Sequence, residues 1–416
     1  MAPKYSASLR GPLPILLISF QTFFILIFLF LVSHNYNYEE KYLQRYPAFQ
    51  DVNVLIIFGF GFFFVFLRRF GFSGVGFNLL IAAFGLQLSV ILDAFLFGPK
   101  NGARVVGLKS LCRGLMSVVP VLISSGAVLG KMNSIQLIVM TAIEMSAFTA
   151  NRYIMTKYLM MGEHISMMHT HIFGAFYGLA VSWTISLPSV NNEFNKEKEK
   201  SEKTSELFSM LGTLFMWMFW PSYNSALLQD YVQIRNAICN TYFTLAVSTV
   251  TVFSFSSLFN RNGKLEMVHV RNAVLAGGVS TGFTAFMVQY PWITMTIGLI
   301  AGLISTLSLK YFQRTLDKVS LLHDTCGVLY TFGFPGLIGG VSYSIIIITA
   351  DYNGIDILGY QAIVGVGSIF LTLAISMVSG IVTGLLLKCK LWRPPKEFHF
   401  FQDQPFWELS HLTSHL

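Results

Sequence analysis

The sequence predicts an all-α, polytopic membrane protein of about twelve transmembrane helices, folded as one integral membrane domain over residues 1–416. Three observations carry that expectation. Of the 416 residues, 54% are hydrophobic and 12% are charged, whereas soluble domains hold about 25% charged residues. Phenylalanine occurs 39 times, which suits lipid-facing and pore-lining surfaces better than a compact soluble core. Apolar stretches long enough to cross a bilayer, about 20 residues each, recur along the whole chain.

These stretches lie at approximately 13–33, 51–69, 74–97, 111–130, 134–152, 164–187, 206–227, 236–258, 267–287, 291–310, 324–349 and 360–387. The first follows Lys4 and Arg10 and has no small-residue cleavage site, so it reads as a retained span and not a signal peptide. With the N-terminus inside, cytoplasmic segments hold twice as many Lys and Arg as external ones, the bias expected of loops retained in the cytoplasm. Both termini are then cytoplasmic. NNEFNKEKEKSEKTSE, 191–206, is the clearest internal loop, a solvated low-complexity hinge, and DYNGIDILGY, 351–360, without a basic residue, is the clearest external one. Residues 388–416 form a cytoplasmic tail whose mixture of aromatics and charge suits either the membrane surface or a partner's groove.

The four-residue spacing of Gly278/Gly282, Gly298/Gly302 and Gly380/Gly384 lets helix backbones approach closely in lipid. That speaks for a tight bundle and says nothing of a substrate. Cys112, Cys239, Cys326 and Cys389 show neither CxxC pairing nor metal-ligand spacing, so no disulfide framework, metal or cofactor is expected. Cys389, between Lys388 and Lys390 at the end of the last apolar stretch, is placed either for S-acylation or as an unmodified thiol. No Asn-x-Ser/Thr glycosylation acceptor occurs. Neither does a phosphate-cradling GxxxxGKS or GxxxxGKT stretch, which argues against ATP-driven pumping; no enzyme chemistry and no nucleic-acid partner is indicated.

Ionisable groups inside a membrane are costly and are therefore functional candidates. The densest set opens the sixth span in EHISMMHTHIFGAFYG, with Glu163, His164, His169 and His171. On one continuous helix Glu163 and His171 share a side, about 12 Å apart. His171 reads either as a packed core histidine bonded to a backbone carbonyl or as a polar group lining a pore; His164 and His169 read as interfacial or vestibule-facing. A weak internal repeat pairs HIFGAFYG, with His171 before Gly178, and LYTFGFPG, with Leu329 before Gly336. Inverted repeats meeting at the membrane midplane are a common transporter plan, and this one makes Leu329 the mate of His171.

HIFGAFYGLAVSW (171–183), LFMWMFWPSYNSALL (214–228), NTYFTLAVS (240–248), HVRNAVLAGGV (269–279), GLIAGLIS (298–305), HDTCGV (323–328) and ISMVSGIVTGLLL (375–387) carry a resemblance over nearly the whole chain. Through them the chain resembles the ammonium transporter/Rhesus superfamily, most closely its Rhesus blood-group polypeptides. The resemblance implies an inverted-repeat, ammonium transporter-like bundle and a trimer in which each subunit has its own pore. In transporting members ammonium is collected at an external vestibule, passes two stacked phenylalanines, loses its proton and crosses as ammonia past two facing histidines. Phe148 matches the first gate residue and Tyr223 stands at the second; Glu163 matches the vestibular acid, Asp324 its counterpart, and His171 the first pore histidine.

The second pore histidine is expected within HDTCGVHNLHG, and this chain reads HDTCGVLYTFG, with Leu329 and Phe332 in place of both histidines. Leucine offers no donor or acceptor, and stripping ammonium of water beside apolar groups is costly, so ammonium conduction is expected to be impaired. The resemblance further implies a Rhesus-associated glycoprotein-like relative as partner in the trimer, an erythrocyte plasma-membrane location, and contact between FFQDQPFW of the tail and an ankyrin-type membrane skeleton. GPLPILL stands where these polypeptides carry a Cys-Leu-Pro acylation motif. The alternative is a functional ammonium or ammonia transporter, or a carbon dioxide channel, in its own right.

Overall fold

The computed structural model describes residues 9, 11–33, 45–98, 104–186, 197–313, 315, 322–350 and 355–408. Part of both loops singled out above, 191–196 of the internal one and 351–354 of the external one, lies outside the described residues. The architecture is helical. One two-residue parallel pair, Val32–Ser33 with Arg104–Val105, is the single sheet among the described residues.

In chain order the helices are α1 (Pro12–Leu31), α2 (Tyr46–Phe66), α3 (Gly71–Leu96), α4 (Leu108–Ala127), α5 (Ser134–Lys157), α6 (Glu163–Met168) and α7 (Thr170–Ile185). They continue as α8 (Lys203–Ser225), α9 (Tyr231–Phe259), α10 (Met267–Ala273), α11 (Ala276–Thr281), α12 (Pro291–Leu307), α13 (Phe334–Ala350) and α14 (Ile355–Leu387). Eight helical stretches among the described residues are long and apolar enough to cross a bilayer. The other four predicted spans are helical but differ in kind. α5 carries Glu144, Asn151 and Arg152 within its length, α8 begins in a polar turn, and the stretches 163–185 and 267–281 are each broken into two helices.

Of three π-helical turns, Ser308–Phe312 extends α12, and two interrupt the winding nearer the middle of the bundle, Leu55–Gly59 inside α2 and Leu329–Gly333 leading into α13. Such turns insert a residue into the helical repeat and occur frequently at functional sites. Both adjoin the site described below.

The glycine pairs act as contact surfaces. A Cβ on Gly298 would lie 2.7 Å from the Thr244 carbonyl, and one on Gly380 would lie 2.7 Å from the Tyr177 carbonyl. α12 therefore seats directly on α9, and α14 on α7. The buried core runs through the middle of the bundle, whereas Ile15, Phe30, Val250, Leu258, Ile363 and Phe370 remain largely exposed on the outside, as a lipid-facing surface requires. α1 is peripheral and is held through Phe24, which packs with Phe84, Ile91 and Ile138.

The tail packs against its own chain. The Asp403 carboxylate accepts the backbone N–H groups of Phe72 (3.0 Å) and Ser73 (2.7 Å), at the start of α3. The Phe401 N–H donates to the Gly130 carbonyl at 2.9 Å. Gly130 has φ +79, and a Cβ there would lie 2.3 Å from the Phe401 ring. Trp407 donates its indole N–H to Ser73 Oγ at 2.9 Å. FFQDQPFW, read from the sequence as facing a membrane or a partner, is thus largely folded onto the body: Phe400, Phe401 and Asp403 are buried.

Candidate functional site

α7 places His171 in its first turn, fully buried. Its imidazole lies nearly parallel to the Trp220 ring of α8 (5.7 Å between centroids, 23°) and to the Phe332 ring (6.3 Å, 8°). Phe332 in turn stacks on Phe60 of α2 at 5.8 Å and 21°. Four rings, Trp220, His171, Phe332 and Phe60, therefore form one buried column. Tyr223 meets the edge of His171 at 5.8 Å, and its hydroxyl lies 3.3 Å from Thr170 Oγ1. Neither ring nitrogen of His171 meets a side-chain partner; its one polar contact is the Met168 carbonyl of the preceding turn. This imidazole is otherwise a polar point facing apolar rings.

The pairing of His171 with Leu329, expected from the repeat, is corrected here: the ring that faces His171 is Phe332. Leu329 is buried and packs towards Gly333, where a Cβ would lie 3.1 Å from its Cδ1 and 3.2 Å from the Ala175 Cβ. The pairing of Leu329 with His171 rests on their equal distances to Gly336 and Gly178, but the π turn at Leu329–Gly333 lies within the second interval, so equal offsets do not give equal orientation. The sequence did carry a signal, since eight residues separate both Glu163 from His171 and Asp324 from Phe332.

Phe148 and Tyr223, expected as two stacked gate rings, are not brought together. Phe148 meets Phe173 edge-on at 5.2 Å, whereas Tyr223 packs on His171 and Trp220. His164 and His169 are buried ties and do not face a vestibule. His164 Nε2 lies 3.0 Å from the Gly282 carbonyl, and His169 bridges the Ile165 carbonyl (2.9 Å) and Ser368 Oγ on α14 (3.0 Å). The helix expected to run unbroken from Glu163 to His171 divides at His169.

At one end of the column Glu163, matched above to the vestibular acid, is held by Arg113 and by Lys109 Nζ (3.0 Å), both on α4. Beside it Asp93 of α3 pairs with Arg152 at 3.1 Å and with Arg113 at 3.8 Å. Arg152 also donates to Ser117 Oγ at 3.0 Å, and its guanidinium lies 5.2 Å from the centre of the Phe97 ring. These cations, up to 59 residues from the acids they hold, are what sequence reading missed.

At the opposite end Asp324 is buried. Its Oδ1 accepts the N–H groups of Gly327 and Val328, and its Oδ2 that of Leu329, each at 3.0 Å. It caps the segment that carries Phe332. Nearby, Lys131 Nζ donates to the His323 carbonyl (2.7 Å) and to Ser182 Oγ (3.0 Å), while His323 Nε2 faces Glu199 at 3.2 Å. A cavity of about 310 Å³ opens here, lined by His323, Asp324, Glu199, Glu206 and Arg271 among others. Cys389 is exposed just past α14, as an acylated thiol would need to be.

Helices of this length enclosing a buried column of rings, with charged groups at either end, describe a multi-pass membrane protein of the channel and transporter type. The sequence profile of the Ammonium Transporter Family matches residues 14–395. The rat Blood group Rh(D) polypeptide is 42% identical over 423 residues, covering 99% of each chain, and the human Blood group Rh(D) polypeptide is 37% identical over 416 residues, again covering 99% of each. Among solved structures, Nitrosomonas europaea Rh50, described as one of a Rhesus protein family of channels, aligns with a TM-score of 0.77 at 28% identity, over 91% of this chain and 95% of that one. The chain belongs to the ammonium transporter family, in its Rh blood-group branch.

Proposed function

We propose that the chain is a subunit of an oligomeric erythrocyte plasma-membrane complex with a transport or channel role, and that its own pore, running past His171, is impaired for ammonium. The observation that carries this reading is the Phe332 ring lying parallel to His171 at 6.3 Å, where a hydrogen-bonding side chain would otherwise receive the permeant. A lone imidazole between two aromatic rings gives ammonia one polar contact and gives ammonium no compensation for lost water.

In this reading twelve spans form two inverted repeats, the broken stretches 163–185 and 267–281 completing the count. Both termini are cytoplasmic, the Glu163 end is external, and residues 388–416 are the tail of a single membrane domain. Tyr223 acts as the gate aromatic outside His171, while Leu329 and Phe332 make the pore wall apolar. A Rhesus-associated glycoprotein-like relative that keeps both pore histidines completes the trimer. Cys389 takes an acyl chain, and an ankyrin-type skeleton is met through outward side chains such as Leu391 and Phe398, both well exposed.

The test is methylammonium and ammonia flux in liposomes, comparing the native chain, Phe332→His, Leu329→His and empty vesicles. Native flux at background, with a gain of about tenfold in Phe332→His, the worth of one added hydrogen bond, and a smaller gain in Leu329→His, supports the proposal. Native flux well above background overturns it in favour of a transporter or gas channel in its own right, a reading that the absence of a side-chain partner on the His171 nitrogens favours.

A further inference from the structure

The Glu163 end of the molecule departs from the mouth that the family resemblance implies. An acid that recruits ammonium needs a free carboxylate, and here both local acids are bracketed by cations. Arg113 and Lys109 hold Glu163, and Arg113 and Arg152 hold Asp93. Three cations stand against two carboxylates. At the same end Arg45 and Asp51, near the start of α2, offset each other, and Asp51 accepts a hydrogen bond from Ser222 Oγ at 2.6 Å. The described residues of this cluster therefore carry one positive charge in excess, and Lys157, exposed at the end of α5, adds a second at the surface. Lys109 and Arg113 are about a quarter and a fifth exposed, so their field reaches the water at the mouth.

We infer that this cluster is a cation-excluding filter, with Lys109 and Arg113 as its specificity-determining residues, so that a neutral solute and not ammonium reaches the column from this side. The inference rests on the reading above that the column past His171 is the pore and that this end is its outer mouth. Lys109 supplies the excess, because Arg113 alone bridges the two acids while Arg152 is buried against Asp93.

The local potential is measurable without any conduction. Met160, 82% exposed, lies three residues before Glu163, within about 11 Å of chain. Met160→Cys is introduced with Lys157, three residues before it, neutralised as Lys157→Gln, and with the exposed thiols removed as Cys239→Ser and Cys389→Ser. The full-length protein in liposomes at about 10 mM salt, where the screening length is about 30 Å, is then modified with anionic sulfonatoethyl and cationic trimethylammonioethyl methanethiosulfonates. One excess charge about 10 Å away in water favours the anionic reagent by about fourfold over a free thiol of the same acidity. Lys109→Gln should bring that ratio to unity, Lys109→Glu should invert it, and Glu163→Gln should raise it. A native ratio at or below the free-thiol value, or one that Lys109→Gln leaves unchanged, overturns the inference. This readout can fail while the flux test of Phe332→His succeeds, and the reverse, so the filter and the pore assignment are judged separately.

Discussion

Glu163 and Asp324 sit eight residues ahead of His171 and Phe332, respectively, and the two carboxylates do different work. Asp324 is buried, and its oxygens accept three backbone N–H groups, so its charge fixes where a helix begins. Glu163 is about a third exposed, and its charge is met by side-chain cations of a neighbouring helix. One acid is part of the scaffold and the other part of a surface field. Matching positions in two halves of a chain thus fix residue type more firmly than they fix role.

The sharpest way to break that comparison is at the scaffold end. Asp324→Ala leaves three buried N–H groups without an acceptor and is expected to cost about 3 kcal/mol or more. It should show as loss of the monodisperse peak in detergent size exclusion, with Asp324→Asn losing less. At the other end the buried member of the cluster comes next. Arg152→Met strands Asp93 beside Arg113 alone, 3.8 Å away, at a cost of about 3 kcal/mol. Adding Asp93→Leu should recover much of the lost melting temperature, whereas a double variant as unstable as the single one would show that Arg152 acts through packing on Phe97 and not through charge.

Glu163→Gln tests the exposed acid itself. Screening by solvent limits its effect to about 1 kcal/mol, so its melting temperature should stay near that of the native chain; a loss as large as that of Asp324→Ala would erase the distinction drawn between the two acids.

The smallest effect concerns the tail that covers the Asp324 end. Burial, with Lys198 and Lys396 nearby, holds the His399 imidazole below its usual range. The free tail then binds a proton that the docked tail refuses, so docking is at full strength above about pH 6.5 and weakens as pH falls below it. Proteolysis within 398–407 should be faster at pH 5.5 than at pH 7.5, and His399→Gln should remove the difference. Equal rates in the native chain would show that the imidazole does not govern docking.

Much of the fold was legible because bilayer-crossing helices announce themselves by apolar length, and His171 and Asp324 by being ionisable inside such lengths. The failures have local physical reasons. Phe332 was displaced by Leu329 because the repeat aligns Gly178 with Gly336, and a π turn lies between Leu329 and Gly336. Phe148 was matched by its position in the chain, yet the face of α5 on which it lies points to Phe173. Lys109 and Arg113 precede Glu163 by some 50 residues, and no spacing rule links a carboxylate to cations on another helix. The tail's aromatics read as adhesive, which they are; periodicity could not say that the surface they adhere to is their own.

The bond from Asp403 to the first turn of α3 also bears on how the chain is made. Phe70, at the N-cap of α3, offers no side chain for capping, and the carboxylate that takes the N–H groups of Phe72 and Ser73 lies 330 residues further on. A ribosome delivers that residue after all fourteen helices described above. α3 therefore enters the membrane with its N-terminal turn unfinished, and it is completed only when the other helices have been synthesised. Truncation ahead of Asp403 would leave an early helix permanently open, where cellular quality control could read it as an incomplete chain.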